Sequence, residues 1–450
     1  MKKHNHLSTD IALLIFLAIV VAMIIFPVLG NSALNGVELR MRDTIESGNA
    51  TGNLANIFGS RADIFYSAYL YLVQLIHGLF PGPCSALVLR LPGAAVVATM
   101  TLCLFRFDGD FERLNASFLA SLLFLSTTIV VFMTFSASPV LLPSALFIFA
   151  MMSLYHWLHH GTRRYFSLVT FSTALATMLI GATAPVSMAI MACTFIAAST
   201  PRAYGRYIAI TAALSTASAA AFFAIYVLTG NTSTASCIFH LQHQFEPTGN
   251  IGSNMATIFL SYVVLGIFPW SLPIILSLPW LAGKGRRLVG IFRKLTLLQR
   301  FGVIIFLFSL PVMLFGSQLS SIVLITSIFF NMPLIGKYLM LQFKHHPSVW
   351  RITGATLGCI TGLGTLAFVA INLPATSPLM HSWLGDTLHE LLLMPRGWTP
   401  WCITITTLIF ITIHTLWRSD RSIGANNRYL YSIITLYLLA ITLTTGYLLP

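Results

Sequence analysis

The chain has 450 residues, 56% of them hydrophobic and 8% charged, and its 25 Lys and Arg outnumber 12 Asp and Glu for a formal charge of +13. So much apolar surface cannot be hidden in one water-soluble core, whereas repeated apolar runs of about 18–22 residues match a bilayer's hydrocarbon thickness. A soluble enzyme is therefore excluded, and an all-α, polytopic integral membrane protein is predicted. The basic residues lie in short loops between apolar runs rather than along one polar face, which marks orientation in a membrane and excludes nucleic acid as a partner.

In chain order, the first apolar run, Ile11 to Leu29, follows Lys2 and Lys3 and lacks a small-residue cleavage site. It predicts an uncleaved first helix with a cytoplasmic N-terminus. A polar loop from Asn31 to Asp63 comes next. Further runs lie near Ile64 to Phe80, Ala86 to Phe105, Ala116 to Phe135, Val140 to Leu158, Phe166 to Thr183, Val186 to Ala198, Ile208 to Leu228 and Ala256 to Leu281. The remainder are Phe301 to Phe315, Ile322 to Leu339, Ile352 to Ile371, Cys402 to Leu416 and Tyr429 to Leu449.

Arg163/Arg164, Arg202/Arg206, the group Lys284 to Lys294, the group Lys337, Lys344 and Arg351, and Arg418/Arg421/Arg428 are expected in the cytoplasm. The loops Asn31 to Asp63, Asn231 to Asn254 and Leu373 to Pro400 then face outward, and the C-terminus is external. An internal N-terminus and an external C-terminus require an odd number of spans, so the runs, about fourteen by length, reduce to about thirteen transmembrane helices. The surplus is sought in Ile64 to Phe80 or in one arm of Phe166 to Ala198. Residues 1–282 form a first transmembrane block that includes the outer loop 31–63. Residues 283–450 form a second, with no soluble domain. The six cysteines are scattered singly and read as packing residues.

The outer loop holds Glu38, Asp43, Glu46 and Asp63, four of the chain's few acids. Glu38, Met41, Arg42 and Ile45 recur at helical spacing before Ser47-Gly48-Asn49, which predicts a short amphipathic helix on the outer membrane face. Two readings stay open on these residues alone: a solvated interfacial helix, or a carboxylate and a guanidinium held where a lipid phosphate arrives. Arg90 stands at the edge of an apolar segment, where it either snorkels to a helix end or has a partner.

The order of these features resembles the polyprenyl-phosphate-sugar-dependent glycosyltransferases of the C-type (GT-C) membrane fold, in particular the aminoarabinose transferase and protein mannosyltransferase group. Val37-Glu38-Leu39-Arg40 and Glu46-Ser47-Gly48-Asn49 carry the resemblance, followed by Arg61 with Phe65-Tyr66-Ser67-Ala68-Tyr69, Leu89-Arg90-Leu91-Pro92, and Pro269-Trp270. The chain departs from the pattern where Val37 stands for an Asp, where Ser136 to Val140 lacks an Asp, and where Gly181 to Pro185 and Ser317 to Ser320 each lack a Lys.

The resemblance implies transfer of a sugar from a polyprenyl-phosphate donor to a lipid, glycan or protein acceptor on the outer face of the cytoplasmic membrane. Such a reaction needs a carboxylate to take the acceptor's proton and cations to stabilise the departing phosphate. Glu38, with Asp43 or Asp63 as substitutes, is the expected base. Arg40, Arg42, Arg61 and Arg90 are the expected phosphate ligands, with His240 and His243 at the acceptor entrance. His240, His243 and Glu246 also share a helical face, so a divalent metal stays open, but no cofactor is established.

Two alternatives remain. The lost motif residues fit a non-catalytic relative that binds polyprenyl-linked glycan or scaffolds a membrane-protein partner. Transport of a lipid or solute is the second alternative, although no acid lies clearly within a span.

Overall fold

A computed structural model describes residues 34–47, 64–80, 82–107, 114–199, 204–229, 295–314 and 318–345, with scattered positions in the first apolar run and around Trp270. These residues form helices and no strand. The elements are α1 Gly36–Glu46, α2 Ile64–His77, α3 Ala86–Phe107, α4 Leu114–Leu125, α5 Thr128–Phe135, α6 Leu141–His160, α7 Arg163–Ile180, α8 Thr183–Ser199, α9 Tyr204–Thr229, α10 Leu297–Leu314 and α11 Gln318–His345. The chain is a multi-pass membrane protein. Among the described residues, four helices are long and apolar enough to cross a bilayer, or five if the bent pair α4–α5 is one span. The expected runs from Ile352 to Leu449 lie outside the described residues.

Turn chemistry sets the up-and-down order. Gly161 ends α6 in the left-handed conformation at φ 67°, with its N–H donating to the Trp157 carbonyl at 2.8 Å. Gly181 ends α7 at φ 80° and ψ −161°, a different positive-φ conformation, with its N–H donating to the Thr177 carbonyl. A side chain is strained at such φ values, so both helices stop where glycine occurs. The run Ala116 to Phe135, expected as one helix, breaks instead into α4 and α5 at an angle of 63°. At the break the hydroxyls of Ser126 and Thr127 bond back to the carbonyls of Leu123 and Phe124, and the buried Trp270 indole N–H donates to Ser126 Oγ at 2.8 Å. Side-chain bonds of this kind satisfy the backbone that the bend frees.

One continuous core joins the first apolar run to α11. Leu17, Val21, Ile25 and Leu29, spaced by four, present one buried stripe to it, while Ile15 and Ile19 stay exposed. Phe301 of α10 meets Tyr155 of α6 and Phe195 of α8 at ring-centroid distances of 5.5 and 5.2 Å, so the core runs across the 282/283 division. At the α10–α11 crossing, a Cβ on Gly302 would lie 2.5 Å from the Phe330 carbonyl oxygen. Asn331 Nδ2 donates across the gap to the Gly302 carbonyl at 3.0 Å, the small-residue packing and cross-helix bonding expected where lipid gives no hydrophobic drive.

The placement of α2 bears on the surplus run. Its 14 residues span about 21 Å at 1.5 Å per residue, short of a hydrocarbon core of about 30 Å. Ile64, Ala68 and Tyr71 pack with Leu142 at the start of α6, with Met178 and Leu179 at the end of α7, and with Ile225 near the end of α9. Tyr69 and Val73 pack with Met41 and Ile45 of α1 and with Cys84, Val88 and Leu89 at the start of α3. All of these neighbours lie at one end of the bundle, so α2 lies across that end rather than through it. The arms of Phe166 to Ala198, the other place for the surplus, are α7 and α8, and both enter the main core.

Candidate functional site

The site is built around α1. Asn35 is its N-cap: Asn35 Oδ1 accepts from the N–H groups of Val37 and Glu38, and Glu38 Oε2 accepts from the Asn35 N–H at 2.9 Å, a complete capping box. Helical spacing then turns Glu38, Met41 and Ile45 inward and leaves Val37, Leu39, Arg40, Asp43 and Glu46 exposed. The amphipathic helix is therefore as expected, except that a carboxylate sits on its buried face. That inversion defines the site.

Glu38 is fully buried and meets Arg90, itself 1% exposed, through a two-pronged pair: Arg90 Nε to Oε1 and an η nitrogen to Oε2, each at 2.7 Å. Oε1 also accepts from the Ala137 N–H at 2.9 Å in the turn between α5 and α6. Arg90 reaches the Leu29 carbonyl at the end of the first apolar run, 3.3 Å away. Thus one carboxylate and one guanidinium tie together α1, α3, the α5–α6 turn and the first helical run. Four donors engage the two oxygens of Glu38. Of the two sequence readings of Arg90, the partner is the one found.

Arg90 is aimed by an irregular turn. Pro92 lies inside α3 and supplies no N–H, and one residue later the Gly93 N–H donates to Tyr69 Oη at 3.3 Å, while Tyr69 donates onward to the Leu89 carbonyl at 2.9 Å. Leu89 and Gly93 are the pair that face one another across a regular helical turn. The Tyr69 hydroxyl from α2 sits between them, directly flanking Arg90. A Cβ on Gly93 would lie 3.2 Å from that hydroxyl, so only glycine leaves it ordinary room.

At the other end of α1, Glu46 Oε1 accepts from the Cys84 N–H at 3.3 Å, and Arg42 pairs with Asp43 at 3.5 Å with both side chains partly exposed. Burial pushes the Cys84 thiol above its ordinary range, the Glu46 carboxylate adds to this, and Arg42 opposes it. Arg40 is exposed on α1. The structure therefore gathers Glu38, Arg40, Arg42, Asp43 and Arg90 in one place. Arg61, Asp63, His240, His243 and Glu246 lie outside the described residues. Among the described residues no three His, Cys, Asp or Glu side chains form a group able to hold a metal ion.

Sequence reasoning missed Tyr69 and the Ala137 N–H as parts of the site. Ala137 falls in the Ser136 to Val140 segment where the resemblance pointed to a missing Asp. The segment stays at the site through its backbone.

No protein-family model matches the sequence, and no curated protein is similar to it. Solved structures are. The crystal structure of ArnT from Cupriavidus metallidurans bound to undecaprenyl phosphate superposes with a TM-score of 0.61 over 96% of this chain and 77% of that one, at 12% identity. The same protein in its apo state gives 0.57 over 99% and 78%, at 13% identity. Nearly the whole chain thus has the C-type glycosyltransferase (GT-C) membrane fold.

Proposed function

We propose that this protein binds a polyprenyl-phosphate-linked sugar at the α1 end of the bundle, on the outer face of the cytoplasmic membrane, and transfers the sugar to a lipid, glycan or protein acceptor. The observation that carries the reading is the buried Glu38–Arg90 pair beneath an arginine-bearing helix, in a fold that ArnT displays with undecaprenyl phosphate bound. Arg40 and the partly exposed Arg42 supply guanidinium groups on the free side of α1, suited to a phosphate. Arg61, His240 and His243 complete the proposed donor and acceptor contacts.

In the reaction, a carboxylate takes the proton of the acceptor hydroxyl, whose oxygen forms a bond to the anomeric carbon. The bond from that carbon to the phosphate oxygen breaks, and polyprenyl phosphate leaves with the electron pair, its charge met by arginine. Asp43, exposed on α1, and Asp63 are the acids open to this role. Glu38 fills it only on parting from Arg90 or a backbone N–H, and its fixed geometry suits it to holding α1 in place.

A second reading, binding of the polyprenyl-linked glycan without chemistry or scaffolding of a membrane partner, is favoured by the engagement of both Glu38 oxygens and by the exposed, apolar Val37 beside it. The two readings part in one experiment. Purified protein is reconstituted with a radiolabelled polyprenyl-phosphate sugar, and donor retention and sugar release are measured separately. Retention with release supports transfer, and retention alone supports the second reading. Absence of both rejects the polyprenyl donor and returns transport to consideration.

A further inference from the structure

At the end of the bundle opposite α1, the reversal from α6 to α7 holds Arg163 and Arg164 beside the His160 imidazole, and α9 brings a third arginine to them. His160, Arg163 and Arg164 are exposed around Gly161. Arg206, from the first turn of α9, joins them by donating to the Leu158 carbonyl at 3.1 Å, which places its guanidinium at the C-terminal end of α6. The histidines of this end pack against an aromatic ring and against one another. His156 and His160 stack on Tyr165 at 5.2 and 5.6 Å, and His159 Nδ1 lies 3.3 Å from His160 Nε2.

Helices α6 to α11 themselves offer this cluster no counter-charge; the acids that precede them are Asp108, Asp110 and Glu112, between α3 and α4. No Asp or Glu occurs between Glu112 and Glu246, the stretch that contains α6 to α9, and none between Glu246 and Asp386, which contains α10 and α11. Neither Arg163, Arg164 nor Arg206 forms an ion pair among the described residues. Next to the cations stands an aromatic fringe of Trp157, Tyr165 and Phe166, the first and last with ring centroids 5.7 Å apart. Such rings settle at headgroup level in a bilayer, and guanidinium groups at that depth meet lipid phosphate.

We propose that the corner formed by His160, Arg163, Arg164 and Arg206 is a binding site for an anionic phospholipid headgroup of the cytoplasmic leaflet. The lipid phosphate supplies the negative charge that α6 to α11 lack. The site is independent of the polyprenyl donor and of sugar transfer, since it lies at the other end of the bundle.

The test is native mass spectrometry of the purified full chain, titrated with phosphatidylglycerol and with phosphatidylcholine of the same acyl chains. Wild type is expected to retain phosphatidylglycerol preferentially, and R163Q/R164Q to lose at least about tenfold of that affinity. The variant K337Q, which removes an exposed cation of α11 outside the corner, is expected to keep it. Arg206 also bonds the end of α6, so R206Q is scored only alongside an unchanged thermal midpoint. Equal retention of the two lipids, undiminished phosphatidylglycerol binding in R163Q/R164Q, or an equal loss in K337Q overturns the proposal.

Discussion

Arg90 grips Glu38 with two nitrogens, 2.7 Å from each carboxylate oxygen, across 52 residues of sequence and out of contact with water. Two charges taken from water recover their solvation cost only when geometry is close and the remaining lone pairs are filled. Here the N–H groups of Asn35 and Ala137 fill them. The pair is therefore a fastening among four segments, and its removal acts on structure before it acts on chemistry.

Breaking one side of such a pair leaves the other charge buried and uncompensated, at about 3–5 kcal/mol. Glu38→Gln and Arg90→Met are each expected to lower the thermal midpoint more than the double variant Glu38→Gln/Arg90→Met, which leaves no net buried charge. Thermal unfolding in detergent, arranged as a double-mutant cycle, checks this. Additive losses in the cycle would show that the two side chains do not act as a unit. Loss of sugar transfer in Glu38→Gln identifies a base only if that variant keeps the wild-type midpoint.

The turn that aims Arg90 has its own signature. Tyr69→Phe removes a donor to Leu89 and an acceptor for Gly93 in a buried place, at about 1–3 kcal/mol. Gly93→Ala is expected to be destabilising alone, because its Cβ would lie 3.2 Å from the Tyr69 hydroxyl and from Leu141, and milder in the Tyr69→Phe background. The coupling is read from four melting curves. Strict additivity would mean that the hydroxyl does not fill the turn.

Much of this was legible in the sequence, and the reasons are local. Ser47-Gly48-Asn49 after Glu46 predicts where α1 ends, while its start at the Asn35 cap emerged from the structure. An arginine beside an apolar run left snorkelling and a partner both open, and Glu38 was already the acid of interest. The pairing itself was hidden because it depends on how α1 lies across α3, which no short-range spacing encodes. Tyr69 was hidden for a related reason: in an aromatic-rich stretch, nothing marks which hydroxyl meets the Pro92 turn. The bend at Ser126-Thr127 was missed because an unbroken apolar run looks like one helix until a distant Trp270 binds its middle.

At the α10–α11 crossing, Gly302→Ala would set its Cβ 2.5 Å from backbone oxygen, which no rotamer change relieves. The helices must separate, which stretches the Asn331 bond as well, at a cost of about 1–3 kcal/mol. A lowered midpoint for Gly302→Ala, with a smaller loss for Asn331→Ala, is the expected order. The reverse order would place the crossing's stability in the amide rather than in the close approach.

Cys84 provides a pH-dependent readout. Its thiol is buried and its ionisation is pushed upward, chiefly by burial, so the folded state favours the protonated form. The sign follows: this contribution to stability is present below the ordinary thiol range and is lost as pH rises above it. Alkylation of Cys84 in the folded protein is expected to run at least about tenfold slower than in the detergent-denatured chain. Mass spectrometry of tryptic peptides after timed exposure at two alkaline pH values measures it. Equal rates would contradict the packing of Cys84 beneath Glu46.

The placement of α2 is open to direct test by labelling. If α2 lies across the α1 end, both of its ends share that face, whereas a spanning helix puts them on opposite sides. Single cysteines at Ile64, Phe80 and Leu39 in a background with the native cysteines replaced are expected to react with an impermeant maleimide from the outside of intact cells. Thr162→Cys, at the Arg163 end of the bundle, is expected to react only after the membrane is opened. Phe80 and Leu39 are exposed, and Ile64 is half-buried, so its reaction is slower but of the same sidedness. Reaction of Ile64→Cys only after permeabilisation, with Phe80→Cys labelled from outside, would restore α2 as a span and reverse the orientation of the first apolar run. Labelling of Thr162→Cys in intact cells would invert the whole molecule and remove the outer-face setting on which sugar transfer rests.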